Sequence, residues 1–234
     1  MDTKALSDQF WEEGYLHIPH FFDLAEMDAI NRLCLEHFGL DPTWEHTDEF
    51  IEKSNCEIVP WFPVREGVEA FRAVEESPLL NELTREILDE NYSSLYCMSM
   101  FSKKGTVGQA WHQDCPPDDP HQFNLNRLMY THDINESTGG QVVVVPRSHQ
   151  LGLITVGDPN ESIENEVVLN PNKGDLVILH GHCWHRVLPV TGAYRVSTNF
   201  RAMPAGTPDT ITDTAIYRNM KYYFPTNEVL EERS

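Results

Sequence analysis

The chain has 234 residues, of which 40% are hydrophobic and 23% are charged. These fractions are typical of globular proteins, so the composition excludes a disordered or fibrous chain, and no apolar run reaches the roughly 18 residues of a transmembrane helix. Thirty-seven acidic and seventeen basic residues give a net charge of −20 at pH 7. Such a negative surface repels phosphate backbones and anionic lipids, so we expect neither nucleic acid nor a membrane as a partner.

The cysteines and the first residues predict a cytoplasmic protein. The five cysteines are widely spaced, odd in number and free of CxxC pairs: Cys34, Cys56, Cys97, Cys115 and Cys183. This pattern argues against a disulfide framework or a structural zinc site. The first 14 residues lack a basic stretch followed by an apolar one, so we expect no signal peptide.

Residues 1–92 predict mostly helices. Asp23 and Glu26 form a capping-box pattern, and apolar residues follow it at helical spacing up to Phe38. Ser77-Pro78 marks another helix start, because proline suits the first helical position. Residues 40–66 are rich in Trp, Pro and acids and show no clear period. We interpret them as a long irregular segment and leave open whether they form a lid.

From residue 93 the pattern changes to short β-rich runs separated by turn residues. There are eight of them: Leu95–Ser102, Val107–Asp114, Phe123–Thr131, Gln141–Pro146, Glu166–Leu169, Asp175–His180, Cys183–Leu188 and Tyr194–Met203. Eight short strands without helices between them predict a mainly β protein, a cupin-like jelly-roll barrel with flanking N-terminal helices. We therefore expect residues 1–234 to form one domain, with a helical flank (1–92), a jelly-roll core (93–203) and a C-terminal extension (204–234).

The motif Trp111-His112-Gln113-Asp114 carries the strongest chemical signal. In a strand, residues i and i+2 point to the same side, so His112 and Asp114 present an imidazole and a carboxylate together. Two histidines and one carboxylate on one face of a metal ion leave open positions, the arrangement of non-haem Fe(II) oxygenases. The third ligand must come from a distant strand.

The stretch from Gly174 to Arg195 offers three histidines as that ligand: His180, His182 and His185. On the next strand Arg195, Ser197, Asn199 and Arg201 share one face. This polar face looks either at solvent or into a polar barrel lumen. An arginine inside a barrel needs an anion, because an unpaired buried charge is too costly, and a dicarboxylate held by the guanidinium would supply one.

Taken in order, four stretches resemble the phytanoyl-CoA dioxygenase family of Fe(II)- and 2-oxoglutarate-dependent oxygenases. They are the Phe-x-x-x-Gly-Tyr opening within residues 8–22, the His-x-Asp motif of 111–114, the Gly…Pro-x-Ser-His turn of 139–149 and the distal segment 174–195. The resemblance implies a double-stranded β-helix with Fe(II), 2-oxoglutarate and O2 as cofactor and co-substrates.

The resemblance also implies residue roles. His112, Asp114 and His185 would be the catalytic metal ligands, and Arg195 would pair with the far carboxylate of 2-oxoglutarate, with Gln109 as a further co-substrate contact. The implied reaction is oxidation of an unactivated C–H bond of a small polar metabolite, with release of succinate and CO2. Because halogenating relatives replace the aspartate with Ala or Gly, Asp114 favours hydroxylation.

Two residues are candidates for binding the substrate. Arg127 stands on an otherwise apolar strand face, where it either binds a substrate carboxylate or forms an internal ion pair. Trp111 is a candidate wall of the pocket. Two alternatives to the oxygenase remain: a cupin-like metal-binding domain without this activity, and a cupin enzyme that does not use 2-oxoglutarate. The sequence does not determine the substrate or the oligomeric state.

Overall fold

The computed structural model describes residues 1–39 and 59–234, so residues 40–58 of the candidate lid lie outside the described residues. In the described part, four α-helices and one short 3₁₀ helix accompany thirteen strands. The helices are α1 (Thr3–Glu13), α2 (Leu24–His37), α3 (Glu69–Glu75) and α4 (Pro78–Leu88), and the 3₁₀ helix is Ser148–Gln150. None of these helices combines the length and apolarity needed to cross a bilayer.

The two predicted helix starts are confirmed. The Asp23 carboxylate accepts hydrogen bonds from the backbone N–H groups of Ala25 and Glu26, so it satisfies two donors that the first turn leaves free. Helix α2 then buries Met27 and two further apolar residues one turn apart. Pro78 opens helix α4, where its missing N–H costs no helical hydrogen bond.

The strands form two antiparallel sheets. Their bounds are β1 (Tyr15–Ile18), β2 (Val59–Trp61), β3 (Ser93–Lys103), β4 (Gln109–Gln113), β5 (Leu125–Met129), β6 (Val142–Val144), β7 (Val167–Val168), β8 (Leu176–His180), β9 (His185–Val187), β10 (Tyr194–Met203), β11 (Thr214–Tyr217), β12 (Met220–Tyr223) and β13 (Glu228–Glu232). The first sheet has the order β1-β8-β5-β10-β3-β2, and the second has the order β13-β12-β11-β4-β9-β6-β7. All eight predicted strands are present, most of them shorter than their β-rich runs.

The sheets extend beyond the predicted core limits of residues 93 and 203. Strands β1 and β2 come from the predicted helical flank, and β11–β13 come from the predicted C-terminal extension. Strand β11 pairs with β4, so the C-terminal residues widen the sheet that carries His112. These strands have only three to five residues each. Strands β1, β2 and β11 pair with strands that are distant in the chain, and β12 and β13 extend β11 as successive antiparallel neighbours.

Alternation along the strands separates two apolar clusters. One face of the first sheet packs against the helices, in a cluster that includes Phe10, Phe71, Leu80 and Phe200. The opposite face meets the second sheet through Leu128, Val142, Leu179, Val187 and their neighbours. The helices thus cover one side of the sheet, and the space between the sheets is left for a cavity.

Candidate metal centre

A cavity of about 670 Å³ lies between the two sheets. Strands β3, β5, β8 and β10 line it from the first sheet, and β4, β6, β9 and β11 line it from the second. Its walls include His112, Asp114, His185, Arg195 and Arg201. The polar face predicted for strand β10 therefore lies in the lumen, while Val196 and Phe200 pack on the helical side.

His112, Asp114 and His185 converge in this cavity and are all buried. His112 and His185 are register partners on neighbouring strands β4 and β9, with ring centroids 4.2 Å apart. The His112 Nε2 atom lies 3.9 Å from Asp114 Oδ1, and the His185 Nε2 atom lies 3.8 Å from Asp114 Oδ2. One ligand atom from each residue falls within 4.8 Å of the others, which is a spacing that one metal ion can bridge.

Backbone carbonyls orient both imidazole rings. The Nδ1 atom of His112 lies 2.8 Å from the Ala110 carbonyl, and that of His185 lies 2.8 Å from the Cys183 carbonyl. Because a carbonyl only accepts hydrogen bonds, each Nδ1 carries a proton, and Nε2 is the ring atom left to bind a metal ion. Such contacts fix the tautomer that a metal ligand needs.

An amide network holds one oxygen of Asp114. Asn126 donates to Oδ2 at 2.6 Å, and Asn199 on strand β10 donates to the side-chain amide oxygen of Asn126 at 2.7 Å. On the other side, Arg201 donates to Oδ1 at 3.0 Å. Burial by itself raises the pKa of Asp114, but Arg201 and the two histidines outweigh burial and hold it below its usual range. Asp114 is therefore an anion at any physiological pH.

The environment keeps His112 neutral. Burial and, after it, the neighbouring His185 lower the pKa of His112 to about 4. A neutral imidazole is the form that binds a metal ion. Tyr217 of strand β11 stacks on the His112 ring with centroids 5.3 Å apart, so a strand from the C-terminal segment packs directly against His112.

Gln109 reaches the cavity through an irregularity in strand β4. Gln109 pairs with Val187 and His112 pairs with His185, so three steps on β4 match two steps on β9. An extra residue of this kind changes which side of the sheet the following side chains face. Gln109 and His112 therefore both line the cavity although they are three positions apart. The bulge is not visible in the sequence pattern.

Arg195 is a buried cation in the same cavity. Its Nε donates to the Gly140 carbonyl at 2.7 Å, and no carboxylate in the described ranges 1–39 and 59–234 pairs with it. Asn199, which belongs to the Asp114 network, is four residues further along β10, or about 13 Å at the rise of a strand. The cavity therefore has a metal-type donor set at one position and an unpaired guanidinium at another.

Arg127 and Trp111 lie outside the cavity, which corrects their assignment as substrate contacts. Arg127 is on the helical face of β5, where it donates to the Phe200 carbonyl and to the Thr84 hydroxyl. The Trp111 indole donates to the Glu161 carbonyl and packs in an apolar cluster on the other side of β4 from His112. Since alternate residues of a strand face opposite sides, neither side chain can reach a molecule bound beside His112.

The two competing histidines belong to an aromatic cluster next to helix α1. His180 shares the outer face of strand β8 with Ile178, and its ring stacks on Phe123 with centroids 3.7 Å apart. His182 lies 4.9 Å from His180 between ring centroids. Neither residue lines the cavity, so the structure selects His185 as the partner of His112 and Asp114.

We expect His182 to make the metal-free protein sensitive to acid. Burial lowers its pKa from 6.5 to about 4, so the folded state favours the neutral ring and the unfolded state binds the proton first. Stability is therefore full above pH 6.5 and declines as the pH falls towards 4, by about 2 kcal/mol at pH 5. Urea unfolding at pH 7 and pH 5 should show a smaller loss in His182→Gln than in the wild type. The exposed His121 offers the control, and equal losses in His182→Gln and His121→Gln contradict the prediction.

Sequence reasoning did not assign three groups of this site. Asn126 and Asn199 have no motif of their own, although Asn199 was on the predicted polar face. The sequence places Arg201 on that face, where it either binds a substrate carboxylate or forms an internal ion pair, and its contact with Asp114 joins residues 87 positions apart. Tyr217 lies in the segment that was predicted to be an extension.

Comparisons with known proteins agree with this geometry. The sequence matches the family model of phytanoyl-CoA dioxygenase (PhyH) over residues 10–196. No curated protein matches the sequence.

Solved structures share the fold at low sequence identity. The epimerase SnoN in complex with Fe³⁺, alpha ketoglutarate and nogalamycin RO is 17% identical, with a TM-score of 0.68 and coverage of 92% of this chain and 86% of that chain. HygX from Streptomyces hygroscopicus with nickel and 2-oxoglutarate is 16% identical, with a TM-score of 0.66 and coverage of 85% and 87%. The carbocyclase SnoK from nogalamycin biosynthesis is 16% identical, with a TM-score of 0.66 and coverage of 95% and 86%. The predicted mainly β, jelly-roll fold is confirmed.

Proposed function

Because the chain belongs to the phytanoyl-CoA dioxygenase (PhyH) family, we propose that it is an Fe(II)- and 2-oxoglutarate-dependent oxygenase acting on a small polar molecule. One observation carries the proposal. The ligand atoms of His112, Asp114 and His185 converge in the same cavity that holds the buried, unpaired Arg195. The first set suits a ferrous ion, and the second suits the far carboxylate of 2-oxoglutarate.

The donor chemistry fits the metal. Two imidazoles whose Nδ1 atoms donate to backbone carbonyls and one carboxylate form the two-histidine, one-carboxylate set of non-haem Fe(II) oxygenases. The anionic Asp114 supplies the negative charge that a divalent cation requires, and Asn126 keeps its carboxylate oriented. His112, Asp114 and His185 would therefore hold the ion.

The cavity also fits a dicarboxylate. A buried guanidinium without a carboxylate partner is costly unless an anion binds it. Leu128, Val142 and Val187 form apolar walls of the same cavity, which suit the methylene groups between the two ends of 2-oxoglutarate. Gln109 offers an amide in reach of the cavity for a further polar contact.

When bound, iron and 2-oxoglutarate supply an oxidant made from O2, with succinate and CO2 as co-products. The chain's own residues bind and orient the metal ion and the co-substrate. Arg195 fixes the co-substrate, the three ligands fix the reacting centre, and the two sheets limit the access of water, so that the reacting groups are held together. Hydroxylation follows as the favoured outcome, because Asp114 occupies the position that halogenating relatives leave to chloride.

The cavity walls support a small substrate with ring and polar parts. Aromatic side chains of Phe62, Tyr96 and Tyr217 line it together with the carboxylates of Asp209 and Asp213. A volume of about 670 Å³ lies within the range of small-molecule sites.

Succinate release tests the proposal. The protein, reconstituted with Fe(II), is incubated with 2-oxoglutarate and a library of polar metabolites, and the mass of the consumed compound is measured. We expect succinate coupled to one compound that gains one oxygen atom. A consumed compound of unchanged mass contradicts hydroxylation and indicates an epimerase. Oxygen uptake that does not depend on 2-oxoglutarate contradicts the proposal and favours another cupin enzyme.

A binding experiment without turnover distinguishes the oxygenase from a cupin-like metal-binding domain that lacks this activity. Anaerobic addition of Fe(II) and 2-oxoglutarate should give the weak visible absorption band of the iron–keto acid chelate. Iron binding without that band at saturating 2-oxoglutarate would identify a metal-binding domain that lacks the activity.

We expect Gly140→Ala to weaken 2-oxoglutarate binding. Gly140 has φ +70°, and an added Cβ would lie 2.3 Å from Cδ of Arg195, so the guanidinium must move. Since an ionic contact of this kind contributes about 1.5–3 kcal/mol, the dissociation constant should rise at least about tenfold in a calorimetric titration. The control is Gly152→Ala, with φ +76° and nothing within 4 Å, which adds backbone strain alone and should leave the constant unchanged. Equal effects of the two variants contradict the role of Gly140.

A further inference from the structure

Arg201 joins the metal-ligand carboxylate to another wall of the cavity. Its Nη2 donates to Asp114 Oδ1 at 3.0 Å, and its Nη1 donates to the Tyr96 hydroxyl at 2.6 Å. The Tyr96 hydroxyl is 3.2 Å from Oγ1 of Thr212, so the contact continues to the segment before strand β11. The side chain of Arg201 is 12% exposed and lines the cavity.

These contacts hold Asp114 from both sides. Asn126 holds Oδ2, and Arg201 holds Oδ1. The carboxylate can rotate about its last bond only if both hydrogen bonds break. Tyr96 in turn limits the guanidinium, which it binds through the hydroxyl while its ring lies 5.4 Å from the guanidinium carbon.

We propose that Arg201 is a positioning residue, a two-pronged donor that keeps the Asp114 carboxylate in the orientation that binds the metal ion. The inference rests on the proposed function, because it assumes that Asp114 is a ligand. Arg201 does not itself contact the ion; it acts through Asp114. Its planar fork, with one prong on Asp114 and one on Tyr96, is the property that matters, and a lysine cannot reproduce it.

If Arg201 acted only through its positive charge, its variants would change metal affinity in a different way. A cation beside the site repels a divalent ion, so its charge lowers metal affinity, and removing the charge should tighten binding. A lysine keeps the charge, so under that role Arg201→Lys should bind metal like the wild type. Under the positioning role, Arg201→Lys should bind metal more weakly, since loss of such outer contacts commonly weakens metal affinity by about 10- to 100-fold.

Titration of the metal-free protein with Co(II), followed by calorimetry and visible absorption, tests the inference without a substrate. We expect Arg201→Lys to weaken Co(II) binding by at least about tenfold and to alter the cobalt absorption bands. Tyr96→Phe keeps the Asp114 contact and removes the second prong, so its affinity should fall between those of the wild type and Arg201→Lys. Thermal unfolding of the metal-free variants reports any general loss of stability.

Arg186 provides the matched control. Its side chain is also 12% exposed, pairs with Glu166 at 3.1 Å and lies 5.0 Å from the centre of the Trp111 ring, but it is not part of the cavity lining. We expect Arg186→Lys to lower thermal stability as much as Arg201→Lys does and to leave Co(II) affinity within about twofold of the wild type.

The outcomes are distinct. Wild-type affinity and spectrum in Arg201→Lys overturn the positioning role, as does an equal loss of affinity in Arg186→Lys. A wild-type protein that binds no Co(II) overturns the proposed function and this inference together.

Discussion

Asp114→Asn should weaken metal binding far more than it destabilises the fold. The amide keeps an oxygen that can accept from Arg201, turns its NH2 group towards the Asn126 donor, and loses the negative charge that holds a divalent cation. Loss of an outer partner of a metal ligand already costs about 10- to 100-fold, so loss of a ligand's charge should weaken binding by more than about 100-fold. Calorimetric titration with Co(II) measures the loss, and succinate release should fall to background.

Asp114→Ala should lose the same affinity and also destabilise the protein. It leaves the buried Arg201 charge without its partner, a change that typically costs about 3–5 kcal/mol. The control is Asp118→Asn, an exposed carboxylate four residues further along the chain, which should change neither quantity. Metal affinity of Asp114→Asn equal to that of the wild type would exclude Asp114 as a ligand.

Arg195→Met should weaken 2-oxoglutarate binding without lowering the stability of the unliganded protein. Because the guanidinium is buried without a carboxylate partner in the described chain, its removal relieves a desolvation penalty. We expect the variant, free of metal and co-substrate, to be at least as stable as the wild type in urea unfolding. A structural ion pair would give a loss of stability instead.

The same variant should lose 2-oxoglutarate. A charge-assisted, bidentate contact to a carboxylate contributes about 3 kcal/mol, so the dissociation constant should rise by about 100-fold or more. The chelate absorption band of the anaerobic complex then appears only at much higher 2-oxoglutarate concentration, while Co(II) affinity stays unchanged. A normal band at the wild-type concentration contradicts the assignment of Arg195.

The rise in melting temperature on adding 2-oxoglutarate gives a second measurement of co-substrate binding in Arg195→Met. A ligand that binds only the folded state raises its stability in proportion to the logarithm of its concentration over the dissociation constant. With Fe(II) present, 2-oxoglutarate should raise the melting temperature of the wild type and of Arg186→Lys, but not that of Arg195→Met.

Strand alternation made much of the site accessible from sequence. It placed His112 beside Asp114 and put Arg195, Asn199 and Arg201 on one polar face of strand β10, and the structure shows both. The same rule argued against Trp111, which is adjacent to His112 and must face away, and against His180, which shares a face with the core residue Ile178. Neither Trp111 nor His180 lines the cavity.

Pairing between distant strands decided the rest. His185 comes close to His112 and Asp114 because strand β9 lies next to β4 with His185 opposite His112, and Gln109 reaches the cavity because that pairing contains a bulge. Arg127 faces the helices, where the fold brings Thr84 to it.

By itself, the sequence determined eight of the thirteen strands that the structure describes, the side-by-side placement of His112 and Asp114, and the polar face of strand β10, since these depend on local spacing along one strand. Only the tertiary structure decided that His185 lies opposite His112, that Arg201 contacts Asp114 and that Tyr217 packs on His112. Register between strands is set by the combined burial of both sheets, and no single segment contains that information.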